Sequence, residues 1–504
     1  MSANNANFFA QIVQRWESAL DADALRMPGA ATWTYGDLRT AANVMAARLR
    51  ACGVQVGDRV LVQVDKSPEN VALYLGTLQV GAVYVPLNTA YTGAEVEYFA
   101  GDASPRVIVC RPADLAVVSR VAGSATVHTL GSATDGSLLE LQPEPETDIA
   151  ATSAEDLAAI VYTSGTTGRS KGAMLSHGNL ASNAHMLVDF WGWRADDVLL
   201  HALPIYHVHG LFVALHCAFL TATPMIWLEK YEAHQVCELL ADATVLMGVP
   251  TFYTRLLTLE RFDRTACANM RLFISGSAPL TEATFHEFEE RTGQRILERY
   301  GMSETLMNTS NPLDGERIGG TVGPALPGVE VRITDGDGTV LAAGEVGGIE
   351  VRGPNVFSGY WQMPEKTAEE FAEDGWFRTG DLGTMATDGR VSIVGRAKDL
   401  IISGGLNIYP KEIELLLDDQ PGVLESAVIG VPHPDFGETV LGVLVADGTS
   451  TIDLAAIEAS LGQALARFKQ PRKLVIIDAL PRNTMGKVQK NVLRESYKDL
   501  FEPA

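Results

Sequence analysis

The chain of 504 residues has little cysteine, no excess of basic residues and no long uninterrupted apolar run. The five cysteines are Cys52, Cys110, Cys217, Cys237 and Cys267, an odd number with no C-x-x-C pair. That spacing excludes a zinc ribbon and a thioredoxin-type site, and the low density argues against a disulfide scaffold. A reducing, cytoplasmic setting is expected. Lys and Arg number 39 against 62 Asp and Glu, a formal net charge of −23. Such a balance disfavours a general nucleic-acid binder or a basic membrane-surface protein, while leaving local anion sites open. The start, M-S-A-N-N-A-N-F-F, has no basic segment followed by an apolar core, so no signal peptide is expected. The longest apolar stretch, 211–228, is interrupted by His216, Thr221, Thr223 and Pro224. It falls short of the ~20 mainly apolar residues of a membrane span and reads as a buried strand–helix segment.

What is present is an ordinary globular composition, 46% hydrophobic and 20% charged, which excludes wholesale disorder. The length exceeds what one hydrophobic core supports, so at least two domains are expected. Runs rich in Val, Ile and Leu at 59–64, 82–85, 106–109, 158–162, 198–203, 245–249 and 272–274 read as strands. Helical patterns at 35–51, 69–80 and 282–292 lie between them. This alternation predicts an α/β fold with mostly parallel sheets buried on both faces. From about 328 to 395 the chain is turn-rich, with short strands at 330–333, 348–351 and 391–394, and reads as a small β subdomain. The expected division is a large N-terminal domain over 1–396 and a smaller, mobile α+β domain over 397–504. In the latter, helices are predicted at 410–417, 452–468 and 490–500, and strands at 423–431, 440–445 and 474–477.

The strongest local signal is Tyr162-Thr163-Ser164-Gly165-Thr166-Thr167-Gly168-Arg169-Ser170-Lys171-Gly172. A buried strand runs straight into small and hydroxylic residues that end in a lysine. Small residues let backbone N–H groups approach phosphate oxygens, hydroxyls add donors, and the lysine adds charge. The spacing departs from G-x-x-x-x-G-K-[ST], so this is a phosphate loop of another kind.

The loop resembles the Y-T-S-G-T-T-G-x-P-K-G signature of the adenylate-forming superfamily, which includes acyl-CoA synthetases and adenylation domains. Ser170 stands where that family usually has Pro. Four further segments follow in the family's order: Tyr300-Gly301-Met302-Ser303-Glu304, Thr379-Gly380-Asp381, Gly395-Arg396-Ala397-Lys398-Asp399 and Pro481-Arg482-Asn483-Thr484-Met485-Gly486-Lys487. The resemblance as a whole spans roughly residues 30–495. The resemblance implies two large sheets flanked by helices, a small β subdomain and a C-terminal lid. It also implies two half-reactions: a carboxylate attacks the α-phosphate of ATP, and the thiol of coenzyme A then takes the acyl group and releases AMP. Both steps concentrate negative charge, so cations and preorganised donors are expected to dominate.

The resemblance also assigns roles. Glu304, with Thr163, is the implied Mg²⁺ site; Ser303 and Lys171 are implied phosphate donors. Ser277, Ala278, Pro279, Glu298, Arg299, Tyr300, Gly301 and Met302 would surround the nucleotide, with Tyr300 stacked on the base. Asp381 would accept the ribose hydroxyls and Arg396 would reach ribose or phosphate. Lys487 is the implied adenylation lysine, and the resemblance extends to its acetylation by a lysine acetyltransferase and deacetylase pair. Lys398 is the implied hinge, and Ser403, Gly404 and Gly405 the implied channel for the CoA arm. Arg467, Lys469, Arg472 and Lys473 read either as a CoA-phosphate contact or as a solvated face.

The segments Leu203-Pro204-Ile205-Tyr206-His207-Val208-His209-Gly210, Gly248 to Arg255, Ser275 to Pro279 and Glu298 to Ser310 resemble the malonyl-CoA and methylmalonyl-CoA synthetase branch. A second carboxylate in a closed pocket needs a cation, because an unpaired buried charge costs several kcal/mol. Arg255 and Ser277 are the implied grip, with Arg299 a second cation. His207 matches a gate position, or is a satisfied core histidine. Val208 and Met307 would wall the pocket, Val208 being more apolar than the Thr sometimes found there. The alternatives are a CoA ligase for another short or aryl acid, and a stand-alone adenylation domain charging a carrier protein.

Overall fold

In the computed structural model the described residues are 5–163, 170–403, 406–433, 436–448, 450–465, 467–483 and 486–501. Local signals set most elements. The helix Tyr35–Ala51 begins where Thr34 and Asp37 form a reciprocal capping box. Ser67 caps the helix Pro68–Gln79, which carries Pro in its first turn. Thr281 caps Glu282–Thr292, which ends on left-handed Gly293.

Four sheets form among the described residues. A six-stranded sheet runs in the order Thr126–Thr129, Val107–Cys110, Arg59–Gln63, Val83–Pro86, Leu157–Thr163, Lys171–Ser176. All its pairs are parallel except the last. An eight-stranded sheet runs in the order Leu306–Ser310, Leu297–Met302, Leu272–Ser275, Val245–Gly248, Leu199–His201, Met225–Trp227, Asp23–Arg26, Trp33–Thr34. Only its two terminal pairs are antiparallel. The strand residues of both sheets are largely buried on both faces, as helix-covered parallel sheets require. The four-stranded sheet is Glu330–Thr334, Gly347–Arg352, Phe377–Met385, Val391–Arg396, and the fourth sheet is built on the long hairpin of Val423–His433 with Gly437–Ala446.

The chain divides into two compact units: Met1–Val331 with Val351–Phe377, and Arg332–Glu350 with Arg378–Ala504. The second unit therefore includes much of the β subdomain that the sequence reading groups with residues 1–396. Its core gathers Ile408, Ile413, Leu417, Val428, Leu444, Ile457 and Leu461.

Some expected elements change. The helix expected over 452–468 is Leu454–Ala464, capped by the Asp453 carboxylate on the Ala455 and Ala456 N–H groups. It stops because Leu465 turns extended while still burying its side chain. The terminal helix is the shorter Lys490–Ser496. Lys171–Ser176 and Phe377–Met385 are strands that the sequence reading does not contain. The apolar stretch 211–228 is buried as expected: the π-helical turn His209–Ala214 passes into Leu215–Thr221 and the strand Met225–Trp227. Among the described residues no helix is long and apolar enough to cross a membrane.

Candidate active site

The strand Leu157–Thr163 ends where the expected phosphate loop begins. Ser164, Gly165, Thr166, Thr167 and Gly168 themselves lie outside the described residues. Lys171 is not on that loop but opens the returning strand, where Thr163 and Lys171 are cross-strand partners. Residues 358–361 run alongside this strand: Trp361 N–H donates to the Gly172 carbonyl, and Met174 N–H to that of Gly359. Tyr360 is thereby laid against Lys171, whose ammonium sits 4.1 Å from the ring centroid and 3.2 Å from Glu370 Oε1.

Glu304 hangs in the tight link between the antiparallel strands Leu297–Met302 and Leu306–Ser310. It is 5% exposed. Its Oε1 accepts from Thr163 Oγ1 at 3.2 Å and from Tyr360 OH at 3.1 Å. Two hydroxyls thus fix one carboxylate oxygen and orient the other. Among the described residues no cluster of three His, Cys, Asp or Glu side chains could cage a metal. A single oriented carboxylate fits Mg²⁺, which is usually held by one or two carboxylates, waters and substrate phosphates. Ser303, Tyr300, Gly301 and Met302 flank it, all half-buried.

The other end of this site centres on Arg299. It is 3% exposed on Leu297–Met302, the penultimate strand of the eight-stranded sheet, and its Nε and Nη2 have no hydrogen-bond partner among the described residues. Burial pushes its pKa down to about 9, against a small opposing effect of Tyr253. The guanidinium lies on Gly276, where a Cβ would come within 2.4 Å of Nη1, so only glycine leaves room. Ser277 adopts a left-handed φ of 71°, a strained geometry for serine that is common at functional sites. Its Oγ is 3.3 Å from His209 Nδ1. His209 is buried, and its pKa is held well below the usual imidazole value by desolvation first and then by the Arg299 charge. The neutral ring therefore serves as a hydrogen-bonding group. His207, half-buried, accepts the His209 N–H on Nδ1 at 3.3 Å. Val208 and Met307 are both 2% exposed. Ala278 and Pro279 are exposed, and Glu298 is buried.

Arg255 is the other arginine expected to grip the distal carboxylate. It lies on the exposed side of the helix Pro250–Leu257, and its charge is felt at Tyr231. Of these two arginines, Arg299 is the buried one. The sequence reading does not contain His209, Tyr360 or Glu370, the partner of Lys171, as site residues. The signal for Arg299 was present: a Glu-Arg pair inside a short apolar strand must face something polar.

In the second unit, Asp381 and Arg396 are register partners on adjacent strands, with Nε 2.7 Å from Oδ1. Asp381 is buried, and its N–H is held by Thr379 Oγ1. Lys398 is exposed in the three-residue helical turn Ala397–Asp399, where Asp399 is 2.6 Å from Arg494. Lys487 is exposed on a turn closed by its own backbone with Asn483, 2.9 Å one way and 3.0 Å to Asn483 Oδ1 the other. Ser403 pairs with Leu406 and Gly437; Gly404 and Gly405 lie outside the described residues. Of the basic cluster, Lys469 is bound to Glu412, and Arg472 sits 4.5 Å over the Phe436 ring.

Residues 13–361 match the family described as AMP-binding enzyme, and residues 412–487 its C-terminal domain. A malonate–CoA ligase of Arabidopsis thaliana is 35% identical over 490 residues, covering 88% of this chain and 78% of that protein. A long-chain-fatty-acid–CoA ligase of Mycobacterium tuberculosis is 33% identical over 474 residues, covering 92% and 93%. Among solved structures, ATP-bound MatB from Rhodopseudomonas palustris is 53% identical with a TM-score of 0.97, over 99% of this chain and 100% of that one. The chain belongs to the AMP-binding, adenylate-forming enzymes. Within that family it is an ATP-dependent, AMP-forming acid–CoA ligase.

Proposed function

We propose that the acid is a short dicarboxylate, malonate, with methylmalonate as a second candidate. The carrying observation is Arg299, a buried guanidinium with two nitrogens unpartnered among the described residues, lying on Gly276 with its charge felt at His209. A distal carboxylate would supply the missing acceptors and a counter-charge together, which a fatty or aryl acid cannot do. The similarity to a malonate–CoA ligase supports the same reading. Identity alone would not, because a long-chain ligase is nearly as similar. Val208 and Met307, both buried, would bound the space at the acid's α-carbon. Arg255 would act at the mouth of this pocket, and His207 as its gate.

In this reading one carboxylate oxygen of the acid attacks the α-phosphorus of ATP and pyrophosphate leaves. The CoA thiol then attacks the acyl carbonyl and AMP leaves. Glu304, held by Thr163 and Tyr360, would carry Mg²⁺, which when bound neutralises phosphate charge. Lys171 would exchange Glu370 for a phosphate oxygen. Tyr300 and the backbone of Ser277 to Pro279 would receive adenine, and Asp381 the ribose. Lys487 would place a mobile ammonium at the charge developing on phosphorus. Lys398 would be the hinge between the two steps. The five unpaired cysteines suit a reducing compartment such as the cytoplasm.

The test is pyrophosphate release with malonate, methylmalonate, succinate, acetate and benzoate, each with and without CoA. Malonate should exceed acetate by about 100-fold in kcat/KM, a difference of about 2.7 kcal/mol. Equal rates would remove the dicarboxylate reading. Transfer to a carrier protein but not to free CoA would replace it with the adenylation-domain alternative.

A further inference from the structure

Lys66 is a buried lysine far in sequence from every motif above. It follows the strand Arg59–Gln63 and immediately precedes Ser67, the cap of Pro68–Gln79. Its ammonium has three protons and three acceptors: His201 Nδ1 at 2.8 Å, the His201 carbonyl at 2.9 Å and the Leu228 carbonyl at 2.6 Å. The Trp227 ring lies 4.1 Å away. A side chain leaving the six-stranded sheet thus ties together the ends of two strands of the eight-stranded one.

Because two of the ammonium protons go to carbonyls, the third goes to His201 Nδ1. The ring proton therefore resides on Nε2. That N–H donates to the Gly210 carbonyl at 3.0 Å. Gly210 lies in the π-helical turn His209–Ala214, and its carbonyl also accepts the Leu215 N–H, five residues on. A Cβ on Gly210 would come within 2.0 Å of the Pro204 carbonyl, so the turn has no slack on that side. π-Turns are rare and concentrate at functional sites. This one presents His209 to Ser277 and the His209 N–H to His207. A slip to α-helical register would rotate those side chains away, since each residue turns about 100° around the axis.

We propose that Lys66 and His201 are positioning residues for acid specificity: Lys66 fixes the His201 tautomer, and His201 pins the π-turn that aims His209 at the acid-binding end of the site. This rests on reading the Arg299–Ser277–His209 set as the acid pocket. The relay touches neither Glu304 nor Thr163, so it should govern the acid and not the nucleotide.

Two substitutions of His201 separate the two bonds. His201→Asn keeps an acceptor near Nδ1 and loses the donor to Gly210. His201→Gln keeps a donor near Nε2 and loses the acceptor for Lys66. Steady-state kinetics use the acid that the wild type prefers in the panel above, so the substrate reading stands or falls beforehand on wild-type data. His201→Asn and Lys66→Met should each raise the KM for the acid by about tenfold or more, with the KM for ATP within about twofold. His201→Gln should stay within about threefold of wild type for both. Equal behaviour of the Asn and Gln proteins would overturn the proposal. So would an unchanged acid KM in a folded His201→Asn or Lys66→Met protein, or an ATP KM that rises in step. Failure of all three variants to fold would also overturn it, by making the relay a structural tie alone.

Discussion

The hydroxyl of Tyr360 donates to Glu304 Oε1 at 3.1 Å while the ring of the same tyrosine lies 4.1 Å from the Lys171 ammonium. One side chain thus links the carboxylate proposed to hold Mg²⁺ with the lysine that opens the strand Lys171–Ser176. Tyr360→Phe removes the donor and keeps the ring. The Mg²⁺ concentration for half-maximal rate at saturating ATP should rise about tenfold, the usual scale for losing an orienting partner of a ligand. An unchanged Mg²⁺ requirement would show that Thr163 alone suffices to orient Glu304.

If Arg299 holds the acid as proposed, its burial is a stability cost kept for function. Burying a guanidinium without its counter-charge is unfavourable, and well-packed apolar replacements of buried charge commonly stabilise by about 1–4 kcal/mol. Arg299→Met should therefore raise the urea midpoint of the ligand-free protein while abolishing use of the diacid. A lower midpoint would mean that Arg299 has a structural partner.

Asp418 gives the second unit a pH signature. Desolvation pushes its pKa up to about 6 from the ordinary 3.8, against the opposing Ser426 hydroxyl, which donates to Oδ1 at 2.7 Å. A carboxyl whose folded pKa is raised destabilises the native state once ionised. Its penalty is therefore present above pH 6 and is relieved as pH falls through 6 towards 3.8. Asp418→Asn should stabilise by about 1–2 kcal/mol at pH 7.5. The gain should vanish near pH 4, as read from denaturant midpoints across that range.

Lys487 sits on an exposed turn whose backbone bonds to Asn483 survive truncation. Lys487→Ala should leave the melting temperature almost unchanged, since exposed substitutions usually stay within about 0.5 kcal/mol. Adenylate formation should fall by about 100-fold or more, while thioester formation from supplied acyl-adenylate stays within about threefold. Adenylation at full speed would remove the lysine from the chemistry.

Much of this molecule was legible before its structure. Tyr35–Ala51 and Glu282–Thr292 follow from caps and apolar periodicity that both act locally. The apolar pattern predicts too long a helix at 452, because Leu465 and Phe468 continue it. Leu465 buries itself from an extended backbone instead, and Phe468 is exposed. The strand Lys171–Ser176 has no clear sequence signal, because a lysine and a glycine disguise its start. Its stability comes from pairing with Leu157–Thr163 and with residues 358–361, contacts invisible in a local window. The same reason separates Arg255 from Arg299. Both are arginines in suggestive segments, and only the sheet that surrounds Leu297–Met302 decides which one is buried. Lys66 and His201 carried no local signal, since their partners lie more than 100 residues apart.

The account turns on one guanidinium choosing the acid. Its most direct test is the ratio of kcat/KM for malonate to that for acetate, measured in the wild type, Arg255→Ala and Arg299→Met. The ratio should fall by about 100-fold or more in Arg299→Met and by about tenfold or less in Arg255→Ala, whose side chain is exposed. An Arg299→Met enzyme that still prefers malonate as the wild type does would contradict it.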